Sequence, residues 1–172
     1  ASLLEGDAFQ SEEWLYPMLL TSSNDIAARY EREVWGFTGI MNQKARALGM
    51  AKTFFDDPTG LSPRNISSAQ DLYRLLRFLA EHKKPVFDIT GLARYAAVSR
   101  SDGKKHEWLN MNWNMKDQRF IAGKSGTSPE ALQNMAGVFG VRFGESGTRP
   151  VGIIVLGSND RVSDTDAIIA YL

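Results

Sequence analysis

The chain has 172 residues, 43% hydrophobic and 23% charged, and its twenty basic residues balance twenty acidic ones. That length suits one globular domain with a real core, and no basic stripe supports a nucleic-acid groove. With no cysteine, disulfides, thiolate catalysis and Cys-ligated zinc are excluded, and no apolar run approaches the ~20 residues that span a membrane.

In chain order, Ser11-Glu12-Glu13 reads as a helix start, a capping hydroxyl followed by acids at the positive end of the dipole. Pro17 should shorten or kink that helix. Residues 24–34 put Ile26, Ala27, Tyr30 and Val34 on one helical face. Between these helices lies the polar cluster Thr21-Ser22-Ser23-Asn24-Asp25. Residues 38–48 form the next predicted helix, with Ile40, Met41, Ala45 and Leu48 inward and Gly49 as its stop. Residues 54–65, rich in Asp, Pro and Gly, read as a loop. Ser67-x-x-Gln70 is a capping box opening a helix with Leu72, Leu75, Leu76 and Leu79 in register.

After Pro85 the texture changes. Ser101-Asp102-Gly103 between extended runs signals a hairpin joining 94–100 to 104–110. Residues 119–123 predict a strand entering Lys124-Ser125-Gly126. Two more strands, 135–143 and 150–157, flank the turn-rich 144–149, and a terminal helix runs from 163 to 172 with Asp164 and Asp166 in its first turn. Helices first, then hairpin-linked strands, then a helix predict an α+β fold with helices packed on an antiparallel sheet.

The histidines, His82 and His106, form no H-x-x-x-H pair, which excludes a helical two-His zinc site. Both are expected to be ordinary surface or hairpin residues, and neither a metal nor an organic cofactor is implied. Two polar motifs remain: Ser22-Ser23-Asn24, and Lys124-Ser125-Gly126 followed by Thr127 and Ser128. Alone, the first reads as a cap between helices and the second as an exposed turn. Together they match what serine acyl transfer needs: a proton relay, a hydrogen bond to substrate and an anchor for an anionic end. A glycine two residues after the lysine leaves a strand edge bare, so a peptide can add to it as a strand.

These residues resemble the low-molecular-mass penicillin-binding proteins, the serine D-alanyl-D-alanine carboxypeptidases and endopeptidases. That family carries S-x-x-K, S-x-N and K-[TS]-G in order. Residues 19–27 are similar to its second motif, and Gly123-Lys124-Ser125-Gly126 to its third. Met41-Asn42-x-Lys44-Ala45-x-x-Leu48-Gly49-Met50, then Thr53-x-Phe55-x-Asp57-Pro58-x-Gly60-Leu61, resembles its long connecting stretch, in which Asn stands where this chain has Asp57. The resemblance implies a β-lactamase/transpeptidase-like domain of the cell envelope, periplasmic or extracytoplasmic, acting on peptidoglycan stem peptides and binding β-lactams when complete. It implies Ser22 as a proton shuttle toward the leaving amine, Asn24 as a hydrogen-bonding partner of the substrate backbone, and Lys124 as an attractor of the terminal carboxylate. Ser125, Gly126, Thr127 and Ser128 become substrate-binding residues. The family more often has Thr where Ser125 and Ser128 stand; Ser keeps the hydroxyl.

The first motif is missing. In the 21 residues before Ser22, Ser2 is followed three on by Glu5 and Ser11 by Trp14. Ser101-Asp102-Gly103-Lys104 fits the pattern but spans a predicted turn, whereas the motif needs a helical turn to bring serine and lysine to one face. We therefore expect residues 1–172 to be the larger, C-terminal part of one catalytic domain. The opening Ala1-Ser2-Leu3, without Met or a visible signal peptide, suits a processed product or fragment. Such a chain is expected to be inactive alone and to expose an apolar surface, filled by the missing segment or a second chain. The alternative is a non-catalytic module that binds stem peptides. Two rivals rank lower. A P-loop would need glycine where Gln118 stands. A class A β-lactamase would need a Glu in loop 54–65, which offers only Asp56 and Asp57.

Overall fold

The computed structural model describes residues 6–172; Ser2 and Glu5, weighed above as part of a nucleophile motif, lie outside the described residues. Six α-helices and five strands follow one another as α1 (Leu15–Thr21), α2 (Asn24–Glu33), α3 (Phe37–Ala47), α4 (Ala69–His82), α5 (Lys84–Thr90), β1 (Arg94–Val98), β2 (Lys105–Leu109), β3 (Phe120–Ser128), β4 (Leu132–Arg142), β5 (Thr148–Ser158) and α6 (Arg161–Tyr171). No helix among the described residues is long and apolar enough to cross a membrane. The order is the predicted one, α+β.

Two antiparallel sheets form. β1 and β2 make the hairpin around Gly103, whose φ of 73° fits the tight reversal. The larger sheet has the order β3-β4-β5, leaving β3 at its edge. Alternation along β4 and β5 turns Met135, Phe139, Val141, Ile153 and Val155 toward Ile169 of α6, forming one core cluster. A second cluster, Leu20, Ile89, Ala97 and Trp108, ties α1 and α5 to the hairpin.

Gly123 and Gly137 are register partners across β3 and β4. A Cβ on Gly123 would fall 2.6 Å from the Ala136 carbonyl oxygen and from the Gly137 Cα, so this close approach admits only glycine.

Several local expectations shift. Gln10, not Ser11, caps the first turn, which is 3-10 over Ser11–Trp14, with Gln10 and Glu13 as a capping box. Pro17 sits buried in the first turn of α1, where its missing N–H costs no helical bond. The cap of α4 is Ser68, which accepts from the Asp71 amide at 3.2 Å, one residue beyond the predicted box. α3 ends as predicted: Gly49 has φ 71°, its N–H reaches Arg46 O at 2.9 Å, and Met50 N–H reaches Ala45 O at 3.0 Å. α5 is additional, with Pro85 in its first turn. The Lys-Ser-Gly motif lies inside β3, not after it; no strand-to-helix turn follows, so there is no phosphate cradle. His106 lies on the β1–β2 hairpin, one of the two expected settings; it is buried there at 5% exposure, with its Nε2 3.4 Å from Asp7 Oδ1.

Candidate active site between the α1–α2 junction and β3

The junction of α1 and α2 is a single reversal at Ser22 and Ser23. Ser22 takes the left-handed conformation, φ 56° and ψ 45°, at the C-terminus of α1. For a residue with a Cβ this costs about 1–2 kcal/mol. The reversal aims the Ser22 hydroxyl at β3, where Lys124 Nζ donates to it; the lysine also donates to the carbonyl of Ser125 at 2.7 Å. Burial, helped by the charge of Arg161, lowers the Lys124 pKa to about 8.

Ser22 and Lys124, paired in the sequence reading only by motif order, thus touch. Asn24 opens α2 two residues on; it is exposed, and its amide has no hydrogen-bond partner among the described residues. Gly126 is exposed, and a Cβ there would meet nothing within 4 Å. The protein's own packing therefore does not require glycine at this point of the edge.

Thr127 and Ser128 diverge, as neighbours on a strand must. Thr127 Oγ1 accepts from Arg161 at 2.8 Å. Ser128 Oγ accepts from the Ala131 amide at 3.1 Å and braces the β3–β4 turn, beside a different hollow under loop 54–66.

Arg161 escaped the sequence reading, which began the last helix at Ser163. The structure starts α6 at Arg161, capped by Asp160. Its side chain is 8% exposed, holds Thr127 and the Gln133 side chain through one terminal nitrogen, and leaves a buried Nε without a partner. A signal did exist: a cation in the first turn of a helix opposes the dipole, so an arginine there points to a role off the helix.

Behind β3 lies an apolar trough of about 380 Å³, walled by Leu72, Leu75 and Leu79 of α4, Phe87 of α5 and Met135 of β4, and reaching Lys124. Of the predicted leucine row of α4, Leu76 is buried against Gly152 of β5, and Leu72, Leu75 and Leu79 face this space. Loop 54–65 is held from within. Asp57 Oδ1 accepts from Thr59 N, Thr59 Oγ1 and Gly60 N, and Oδ2 from Ser62 N, at 2.6–2.7 Å. Burial opposes ionisation, but these bonds bring its pKa down to about 2. Ser101 to Lys104 spans the β1–β2 turn, and Lys104 pairs with Asp102 at 2.6 Å, so this S-x-x-K has no helical face.

An antiparallel sheet whose edge-strand lysine meets a serine from an inter-helix reversal defines the penicillin-binding, DD-transpeptidase class of fold. The crystal structure of the Streptomyces K15 DD-transpeptidase superposes with a TM-score of 0.79 at 27% identity, over 98% of this chain and 70% of that one. A D-alanyl-D-alanine carboxypeptidase from Mycobacterium tuberculosis gives 0.70 at 25% identity, over 86% of this chain and 56% of that one. The D-alanyl-D-alanine endopeptidase of Haemophilus influenzae is 34% identical over 130 residues, 72% of this chain and 43% of its own length. That of Pseudomonas aeruginosa is 41% identical over 75 residues, 41% of this chain and 24% of its own length. The sequence profile of the D-alanyl-D-alanine carboxypeptidase family matches residues 2–158. The chain belongs to that family, and it spans less than half the length of these two curated relatives.

Proposed function

We propose that these residues form the larger part of the catalytic domain of a serine peptidase that cleaves a D-Ala-D-Ala amide, or a D-amino-acid cross-link, in peptidoglycan stems through an acyl-enzyme. The observation that carries this reading is the contact of Lys124 Nζ with Ser22 Oγ across 102 positions of sequence. A lysine with its pKa near 8 exchanges protons close to neutral pH, and a hydroxyl bonded to it can relay them to a leaving amine. Asn24, free and exposed on the same reversal, hydrogen-bonds the substrate backbone. The substrate lies along the open edge of β3 over Gly126 as an added strand. Its terminal carboxylate is drawn by Lys124 and Arg161 and hydrogen-bonded by the hydroxyls of Ser125 and Thr127. Ser128, tied into the turn, supports that end of the strand.

The nucleophile and its lysine base belong, in this reading, to a Ser-x-x-Lys helix outside the 172 residues. The apolar trough beside Lys124 supports it: a helix with one apolar face would fill the trough and bring its serine to the cleft. The 172 residues alone then form no acyl-enzyme. The intact protein works in the cell envelope, outside the inner membrane, and takes β-lactams as acylating substrate mimics.

Labelling with a fluorescent penicillin tests this. Label should appear on the full gene product and not on the 172-residue chain. Label mapped to a serine within the chain overturns the assignment of the nucleophile. A full gene product with no Ser-x-x-Lys and no label leaves the non-catalytic stem-binding module as the function.

A further inference from the structure

Ser22 holds a strained backbone at the very end of α1, so its placement needs support from both sides. From within the helix, the Pro17 carbonyl accepts the Ser22 amide, the Thr21 hydroxyl at 2.7 Å and the Ser23 amide at 3.3 Å. From outside, the Leu20 carbonyl accepts the Met111 amide at 2.9 Å. So near the terminus this carbonyl has no helical partner, and Leu20 is buried, which denies it water. The Met111 bond is therefore the outer tether of the reversal that carries Ser22.

Met111 sits between Asn110 and Asn112, just past β2. The Asn112 amide donates to Asn110 Oδ1 at 3.0 Å, which closes a turn over the Met111 peptide. The other end of the same side chain, Asn110 Nδ2, donates to the carbonyls of Thr90 at 2.9 Å and Leu92 at 3.0 Å. These are carbonyls that the end of α5 leaves open. Two acceptors on one side and one donor on the other fix which way the amide faces. Between Thr90 and Leu92, Gly91 packs so closely on β3 that a Cβ would fall 2.6 Å from the Ile121 carbonyl oxygen. Lys124 stands three residues further along that strand. One amide group thus reaches Ser22 through Met111 and the end of α1, and Lys124 through α5 and β3.

We propose that Asn110 is a positioning residue for the contact of Ser22 with Lys124, and that the proton relay depends on it. The inference rests on the reading of that contact as the relay. Aspartate at this position keeps an acceptor for Asn112 but sets a carboxylate oxygen against two carbonyls. That repulsion pushes the turn off α5 and takes the Met111 amide away from Leu20. Ser22 then loses its outer tether, although neither its hydroxyl nor the Lys124 ammonium has been altered.

Stopped-flow acylation of the full gene product by a fluorescent penicillin tests this through a double-mutant cycle. Asn110→Asp should slow acylation about ten- to a hundredfold, with the dissociation constant of the initial complex within about twofold of wild type. In a Ser22→Ala background the same change should slow it by no more than about twofold, because the hydroxyl it positions is gone. Asn110→Ser keeps an acceptor for Asn112 and should fall between Asn110→Asp and wild type; it carries the test if the aspartate variant does not fold. An equal loss in both backgrounds, no loss in either, or a loss confined to the dissociation constant overturns the inference and leaves the relay standing. A full acylation rate in Ser22→Ala alone removes the relay reading, and this inference with it.

Discussion

Lys124 and Ser22 meet because a left-handed serine ends α1 opposite the one lysine of β3. The backbone strain at Ser22 and the partial burial of Lys124 converge on one hydrogen bond. Both would be avoided by a fold selected only for stability.

Replacing Ser22 with glycine separates the two roles. Glycine adopts φ near 56° freely, so Ser22→Gly should stabilise the chain by about 1 kcal/mol in urea unfolding. In the full gene product the same change should slow acylation by a penicillin, because the relay hydroxyl is gone. A destabilised Ser22→Gly would mean that the Lys124 bond outweighs the backbone strain.

Lys124 should titrate near pH 8, readable from its Cε–Hε NMR signals. Its pKa is lowered on folding, so between about 8 and the ordinary 10.5 the unfolded chain holds more protons than the folded one. Its contribution to stability therefore rises with pH across that window. Arg161→Gln removes the neighbouring charge and should raise the Lys124 pKa; an unchanged titration would show that burial alone sets it.

Gly123 and Gly126 should respond oppositely to one methyl group. Gly123→Ala drives a Cβ into the β4 backbone and should cost about 3 kcal/mol of stability. Gly126→Ala meets nothing and should unfold like the wild type. In the full gene product Gly126→Ala should lower the affinity for stem peptides, because the methyl group stands where the substrate strand would lie. Wild-type affinity would move the substrate off this edge.

Asp57→Asn keeps an acceptor for Thr59 and Gly60 but offers an N–H where Ser62 N–H needs an oxygen. The variant should melt at a lower temperature at pH 7. A carboxyl lowered to about 2 lends stability above its ordinary pKa of 3.8 and loses it as pH falls toward 2. The gap in melting temperature should therefore narrow over that range. A gap independent of pH would assign the effect to packing.

Much of the fold was legible because its signals are local. Asp102-Gly103 placed the hairpin, Gly49 stopped α3, and the turn-rich 144–149 set apart the strands that become β4 and β5. What failed also has local causes. Pro85 reads as a break, yet proline suits a helix's first turn, so α5 went unseen. Ser67 and Ser68 both satisfy a cap pattern, and only the Asp71 amide chooses between them. Of the candidate site, motif order named Ser22 and Lys124, but pattern alone carries no distance. Arg161 lay hidden because its partners, Thr127 and Gln133, are remote in sequence. Thr127 and Ser128 read as equivalent hydroxyls, and strand parity separates them.

Among the described residues β3 pairs with β4 on one flank only, and so carries backbone amides and carbonyls outside the sheet ladder along the other. Such a row recruits any extended chain, including another molecule of the same protein, unless charge intervenes. Lys124 supplies that charge in the middle of the strand, and two copies aligned edge to edge would bring like ammonium groups together. The lysine that attracts an anionic peptide end is thus also a charge that a second copy added to this edge would have to bury.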